Sequence, residues 1–271
     1  MISSNSNTLV IDKGLNWLAP KKNDHLIRLG IENDGGYIVD RNSVLKANFL
    51  VSMGINDDWS FDEDFLKLRP EIGLHAYDYS ISKKIFNRKT LKLFKRLFYG
   101  KSKISDVKKN YRIAQNYQTF FQGKVVHFQE RVTDAIQSTL DVDMATIFSR
   151  ITPCEIFIKI DIEGGEYALI DGLVANSDRI TGMAIEFHQT SKLRPQFQQA
   201  IEKIQEKFEL IHLHGNNVGP IAKDGIPDAL EISFVNKSIW TSTEHRLELP
   251  LEGLDSPNDP LKADYPMIFS V

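Results

Sequence analysis

The densest concentration of reactive side chains lies between residues 159 and 217. It opens with Lys159-Ile160-Asp161-Ile162-Glu163-Gly164-Gly165-Glu166, continues with Glu186-Phe187-His188 and closes with His212-Leu213-His214-Gly215-Asn216-Asn217. Carboxylates and imidazoles together can move protons or hold a cation, and either serves to activate a hydroxyl, whose proton is hard to remove. Residues two apart on a strand point to one side of it, so Asp161 and Glu163 are expected to share a face, as are Glu186 and His188. Gly164 and Gly165 break the strand pattern. Glu166 then falls in a first helical turn, where a negative charge is favourable. Asp161 has no such local explanation, because it ends an apolar run.

A second set lies nearer the N-terminus. Ser52-Met53-Gly54 closes an apolar run, and a glycine there lets backbone approach a ligand closely. Asp78 ends the next run. An acid roughly 20 residues beyond a glycine loop is placed to accept protons from ribose hydroxyls; capping the following helix is the alternative. Phe128 and Gln129 end a third run. They are either a ring and an amide for an adenine, or a buried Phe and a surface Gln.

These groups need strands to carry them. Apolar runs at 49–53, 74–78, 125–128, 156–162, 182–187, 210–213 and 230–235 are mostly rich in Val, Ile and Phe, as strands buried on both faces are. Helical patterns intervene at 61–68, within a basic segment, and at 134–151, 165–176 and 194–208. The alternation predicts an α/β fold, a mostly parallel sheet with helices on both faces and ligands beyond the carboxyl ends of the strands. Only a loop, 216–228, joins the last two runs, which predicts an antiparallel end. Seven strands with the sixth and seventh joined without a helix is the arrangement of class I methyltransferases.

With 271 residues, 42% hydrophobic and 25% charged, the chain suits a single domain spanning 1–271, with 1–27 as an N-terminal extension. No apolar run approaches the roughly 20 residues of a membrane span, and residues 1–7 lack the features of a signal peptide. The single cysteine, Cys154, excludes an internal disulfide and a cysteine zinc cluster, so a cytoplasmic protein is expected. A net charge of −3 argues against a general nucleic-acid binder. The charge is nonetheless uneven: residues 81–124 hold thirteen basic side chains and one acid, Asp106. Within 81–99, Ile81, Ile85, Phe86, Leu91, Phe94, Leu97 and Phe98 recur at helical spacing, which predicts an amphipathic helix in a basic insertion. Its basic face has three readings: a solvated surface, a lid pairing with the phosphates of an anionic acceptor, or a peripheral contact with an anionic membrane.

The string from Lys159 to Glu166, with Gly172 downstream, resembles the signature of the FkbM family of methyltransferases. So do Arg28-Leu29-Gly30, Asp34-Gly35-Gly36-Tyr37, Ser52-Met53-Gly54, Ser60-Phe61-Asp62, Glu186-Phe187-His188, His214-Gly215-Asn216-Asn217, Leu254-Asp255 and Pro257-Asn258. The resemblance runs from about Arg28 to Pro260 and leaves out the basic segment. It implies a Rossmann-like domain, S-adenosylmethionine as methyl donor, and an oxygen acceptor such as the hydroxyl of a sugar or nucleotide-linked sugar used in a surface polysaccharide. Another hydroxylated metabolite or a lipid-linked glycan is the alternative. Gly36, Tyr37, Ser52, Gly54, Asp78, Phe128, Gln129 and Asp161 are then expected around the donor. The implied sheet order makes the fourth and fifth strands neighbours, so Asp161, Glu186 and His188 are expected to hold Mg²⁺ or Mn²⁺, with His188 or His214 as base and Asp161 assisting. In the other reading Asp161 and Glu186 meet the donor's amino group and the histidines do the acid–base work alone.

A nucleotide-dependent oxidoreductase is the rival enzyme, but it predicts a fuller G-x-G-x-x-G loop than the one after 49–53. A nucleic-acid methyltransferase would need aromatics interleaved as a stacking platform. A non-catalytic module of this fold would not keep Asp78, Asp161, Glu163 and Glu186 at strand ends.

Overall fold

The computed structural model describes residues 8–270. Residues 1–7, on which the expectation about a signal peptide rests, lie outside them, as does the start of the 1–27 extension. The described part of that extension is woven into the body. Leu9–Val10 pairs with Met267–Ile268, and Ile11 and Leu18 are buried in the core.

Seven strands form the central sheet: β1 (Phe49–Met53), β2 (Gly73–Tyr77), β3 (Val125–Phe128), β4 (Ile156–Ile160), β5 (Ile180–Phe187), β6 (Phe208–Gly215) and β7 (Leu230–Asn236). Their order across the sheet is β3-β2-β1-β4-β5-β7-β6. β1 to β5 pair in parallel, and β7 runs antiparallel to both of its neighbours. The chain order reverses between β1 and β4, which opens a crevice at their carboxyl ends.

Alternation along each strand divides the core. Val51, Met53, Ile158 and Ile160 face one apolar layer, and Leu50, Phe157 and Ala184 face the other. On the second side, helix α2 (Ser60–Leu68; the short α1 is Arg41–Lys46) lays Phe61 and Phe65 against Phe157, with ring centroids 6.2 and 5.2 Å apart. Removing such a ring costs about 3–5 kcal/mol, so α2 is held firmly over β1 and β4.

The basic segment forms two helices, α3 (Lys83–Phe98) and α4 (Ile104–Phe120), packed on each other through Phe86 and Tyr117 and through an Asn110-to-Thr90 hydrogen bond of 2.6 Å. Two expectations need correction. The 134–151 pattern is helical only in α5 (Met144–Ser149), because Asp141 accepts from the backbone of Gln137 and Ser138 and folds the preceding stretch into a loop. The strand expected over 156–162 stops at Ile160, because Glu163 and Gly164 adopt left-handed backbone, φ 55° and 103°. A β-hairpin of Leu26–Leu29 and Tyr37–Asp40 was not expected. It is too short for its alternation to register, and it covers β7, where Ser233 donates to the Ile38 carbonyl at 2.5 Å. Two further helices complete the layers, α6 (Ile170–Ala175) and α7 (Arg194–Gln205).

Candidate active site

A cavity of about 1120 Å³ opens at the carboxyl ends of β1, β2, β4 and β5. Its floor is the turn after β1. Gly54 has φ 73°, and a Cβ there would lie 1.6 Å from the Asp161 carbonyl oxygen, so β1 and β4 meet only because residue 54 is glycine. Asn56, Glu163 and Gln189 line the same cavity and hold left-handed φ of 41°, 55° and 54°. Each such non-glycine residue costs about 1 kcal/mol or more, and such strain gathers at ligand clamps.

Asp78 reaches the cavity and braces it. One carboxylate oxygen accepts the Asn56 N–H at 2.8 Å, and the other accepts the Ser80 N–H and hydroxyl at 2.7 and 2.6 Å. Three of the carboxylate's roughly four acceptor positions are thus used, which leaves room for a ligand hydroxyl. Phe128 and Gln129 stand elsewhere. The Phe128 ring stacks on Tyr77 at 5.0 Å under the Arg150 guanidinium, and the Gln129 amide donates to the Tyr79 carbonyl at 3.3 Å. Neither lines the cavity. A turn closed by the Glu130 N–H on the Phe128 carbonyl brings Glu130, Arg131, Val132 and Thr133 to the wall in their place. Gly36 is likewise a packing position, since a Cβ would lie 2.1 Å from the Ile31 carbonyl oxygen.

Ser52 and Lys159 are register partners on β1 and β4, and Asp62 of α2 lies over that face. All three line the cavity. Lys159 donates to the Gly54 carbonyl at 2.7 Å and to Asp161 at 3.3 Å. The Ser52 hydroxyl and both Asp62 carboxylate oxygens are buried with no hydrogen-bond partner among the described residues. Burial pushes the Asp62 carboxyl up to about 7, against the pull of Lys159 and of the Ser52 hydroxyl, which faces it without closing a regular hydrogen bond.

On another wall of the same cavity Asp161, Glu186 and His188 come together, each offering a ligand atom within 4.8 Å of the others. The His188 Nε2 stands 4.0 Å from Asp161, 3.8 Å from Glu186 and 3.5 Å from Glu163. Glu163 leaves the strand face on its left-handed turn, and its side chain is 86% exposed, so it meets His188 from the rim and does not share a face with Asp161. Glu166, fully buried, accepts the His188 backbone N–H at 2.5 Å and stands 3.3 Å from its Nδ1, which aims Nε2 at the cluster. The Tyr37 hydroxyl reaches Asp161 at 3.2 Å and Glu186 at 3.3 Å, and Asn216 donates to Glu186 at 2.8 Å. Burial and the surrounding carboxylates push the Tyr37 phenol up, so it remains a donor.

The electrostatics follow from this crowding. Burial, then the charges of Asp161 and Glu231, raise the Glu186 carboxyl far above the usual range. Burial opposes protonation of His188, but the Glu166 hydrogen bond and the charges of Glu186, Glu166 and Asp161 outweigh it, and the imidazole is raised. The cluster is a well of negative potential, fit for one proton or one small cation. Asp34, Glu186 and Glu231 also converge within 4.8 Å, but Asn258 already donates to Glu231 at 2.6 Å and to Asp34 at 3.3 Å.

His214 is not available as a base. It is buried, Nδ1 stands 3.3 Å from Glu231, Nε2 stands 3.1 Å from Asp264, and it does not line the cavity. His212 sits similarly against Asp255 at 3.0 Å. Lys159, Asp62, Glu166, Asn216 and Glu231 were not singled out from the sequence as site residues. The available signals were a lysine inside an otherwise apolar strand, and an acid between Phe61 and Phe65 on the buried face of a helix.

No family model matches the chain, and no curated protein matches it. Solved structures do. A precorrin-6y C5,15-methyltransferase from Geobacter metallireducens is 10% identical over 72% of this chain and 86% of its own, with a TM-score of 0.34. TrmK of M. capricolum, solved with S-adenosylhomocysteine, is 12% identical over 74% and 69%, with a TM-score of 0.35. A putative caffeoyl-CoA O-methyltransferase from Staphylococcus aureus is 8% identical over 71% and 78%, with a TM-score of 0.35. The strand order β3-β2-β1-β4-β5-β7-β6 with β7 reversed gives the chain the Rossmann-like fold of the class I methyltransferases.

Proposed function

We propose that this protein is an S-adenosylmethionine-dependent O-methyltransferase of the FkbM type. Its acceptor is a sugar hydroxyl, best supplied by a nucleotide-linked sugar bound for a surface polysaccharide. One observation carries the reading: a strained glycine-turn cavity at the β1–β4 crevice is walled by unpartnered Ser52 and Asp62 on one side and by the Asp161–Glu186–His188 cluster on the other. The residues present fit the donor. Gly54 permits close backbone approach, Asp78 has acceptor capacity for a ribose hydroxyl, and Asp62 offers an unpaired carboxylate to an ammonium group. S-adenosylmethionine, when bound, supplies an electrophilic methyl group.

The chain's own work is to orient the acceptor oxygen and take its proton. Positioning of this kind contributes roughly 7–11 kcal/mol. Once deprotonated, His188 receives the hydroxyl proton at Nε2, and Glu166 holds the ring in place through Nδ1. Tyr37 and Asn216 fix Glu186, and Lys159 fixes Asp161. In the alternative arrangement Asp161, Glu186 and the same His188 Nε2 would hold Mg²⁺ or Mn²⁺; the ion would then supply Lewis acidity and the imidazole would be a ligand, not the base.

The test is methyl transfer to a panel of nucleotide sugars, with and without chelator. Transfer lost in chelator and restored by Mn²⁺ supports both the activity and the cation. Full transfer in chelator leaves the activity and removes the cation. No transfer to any hydroxylated acceptor, with donor bound, contradicts the reading.

A further inference from the structure

We propose that the α3–α4 hairpin docks on an anionic lipid bilayer, with its tip among the headgroups. The inference starts from a surface that the cavity does not use. Phe86 and Thr90 turn one side of α3 towards α4. Leu91, Phe94 and Phe98 recur at intervals of three and four on another side, and they are 56, 60 and 86% exposed. Tyr99 and Ile104 continue this apolar surface around the turn between the helices, 74 and 60% exposed. On a helical projection Lys84, Arg88 and Lys95 run alongside the stripe. Among the described residues, Lys89, on Asp57 at 3.2 Å, is the one basic side chain of this hairpin paired with a carboxylate.

The chemistry selects the partner. A stripe of large apolar side chains edged by unpaired lysine and arginine suits an interface that is apolar below and anionic above, which is a bilayer surface carrying acidic headgroups. A second copy of this face would bring like charges together, since residues 81–124 hold thirteen basic side chains against one acid. Nucleic acid would satisfy the charge but leave the aliphatic Leu91 and Ile104 without a role, because bases stack on aromatic faces. Among the described residues no helix is long and apolar enough to cross a membrane, so the contact is peripheral. α3 begins just beyond Ser80, which lines the cavity, so the docked tip lies about one helix length, roughly 24 Å, from the cavity mouth.

The experiment is co-sedimentation of the full chain with vesicles of phosphatidylcholine alone, and with vesicles containing one part phosphatidylglycerol in four. The expected result is binding only to the second. It should weaken about tenfold or more in Phe94→Ser/Phe98→Ser and in Lys84→Gln/Arg88→Gln/Lys95→Gln. Thermal midpoints should stay unchanged, since these side chains are exposed. Failure of the wild type to sediment with anionic vesicles overturns the proposal, as does equal binding by the double phenylalanine variant. Two other outcomes, each without vesicle binding, also overturn it: association with a single-stranded oligonucleotide, or self-association abolished by Phe98→Ser.

Discussion

His188 at the end of β5 and His214 at the end of β6 are built from the same parts and do different things. Each imidazole is surrounded by carboxylates, and each is raised above its ordinary pKa although burial works against protonation. His214 has both nitrogens committed, to Glu231 and Asp264. His188 commits Nδ1 to Glu166 and turns Nε2 towards the cavity. One free nitrogen separates a reactive group from a structural one. Residue type and strand-end position therefore overstate the reactive set, and it is access that distinguishes its members.

The comparison breaks most sharply under substitution. His188→Ala is expected to lower turnover by about 10²-fold or more while leaving S-adenosylhomocysteine affinity nearly unchanged. His214→Ala should instead strip Glu231 and Asp264 of their shared cation and lower stability by about 3 kcal/mol, as read by urea unfolding, with turnover per folded molecule retained. Turnover abolished in both, with both fully folded, would remove the distinction.

Glu166→Gln comes next. It should reduce turnover about 10-fold, with a shifted pH–rate profile and donor affinity intact, because it acts through the orientation and basicity of His188. A change in stability alone would make Glu166 a structural residue.

The pH dependence of stability separates the buried groups further. Asp62 is raised to about 7 from an unfolded value near 3.8. Its protonated form is favoured by the fold, so the associated stability is present at low pH and lost as pH rises through about 7. Asp62→Asn should therefore stabilise the protein by up to about 4 kcal/mol at pH 8 and by little at pH 4, while weakening S-adenosylhomocysteine binding. His214 is also raised in the fold, so its contribution is full below about pH 6.5 and is lost progressively as pH rises above that. Urea midpoints across pH for the wild type and His214→Gln check the sign.

The smallest effect is expected at Gln129, which is exposed and outside the cavity wall. Gln129→Ala should change donor affinity by less than about 0.5 kcal/mol. A larger loss would restore it to the donor site.

The sheet was legible because buried strands announce themselves as short apolar runs, and the reversed β7 followed from the missing crossover helix. Asp161, Glu186 and His188 were legible as strand-end residues whose types suit a cation. Asp62 was harder to find, because an acid in a helix reads as surface until the helix is seen to press that side on β1 and β4. Glu166 does open a helical turn as expected, but its reach to His188 was not legible, since it depends on the left-handed turn at Glu163 and Gly164. Phe128 and Gln129 were expected at the wall because they end a strand, and the turn after β3 carries the next residues there.

The most direct test of the central claim is calorimetric titration of the purified protein with S-adenosylhomocysteine, repeated with Asp78→Ala. Micromolar binding that the substitution weakens strongly is the expected result. No binding to the wild type, with or without Mn²⁺, would contradict the assignment of the β1–β4 cavity to a methyl donor.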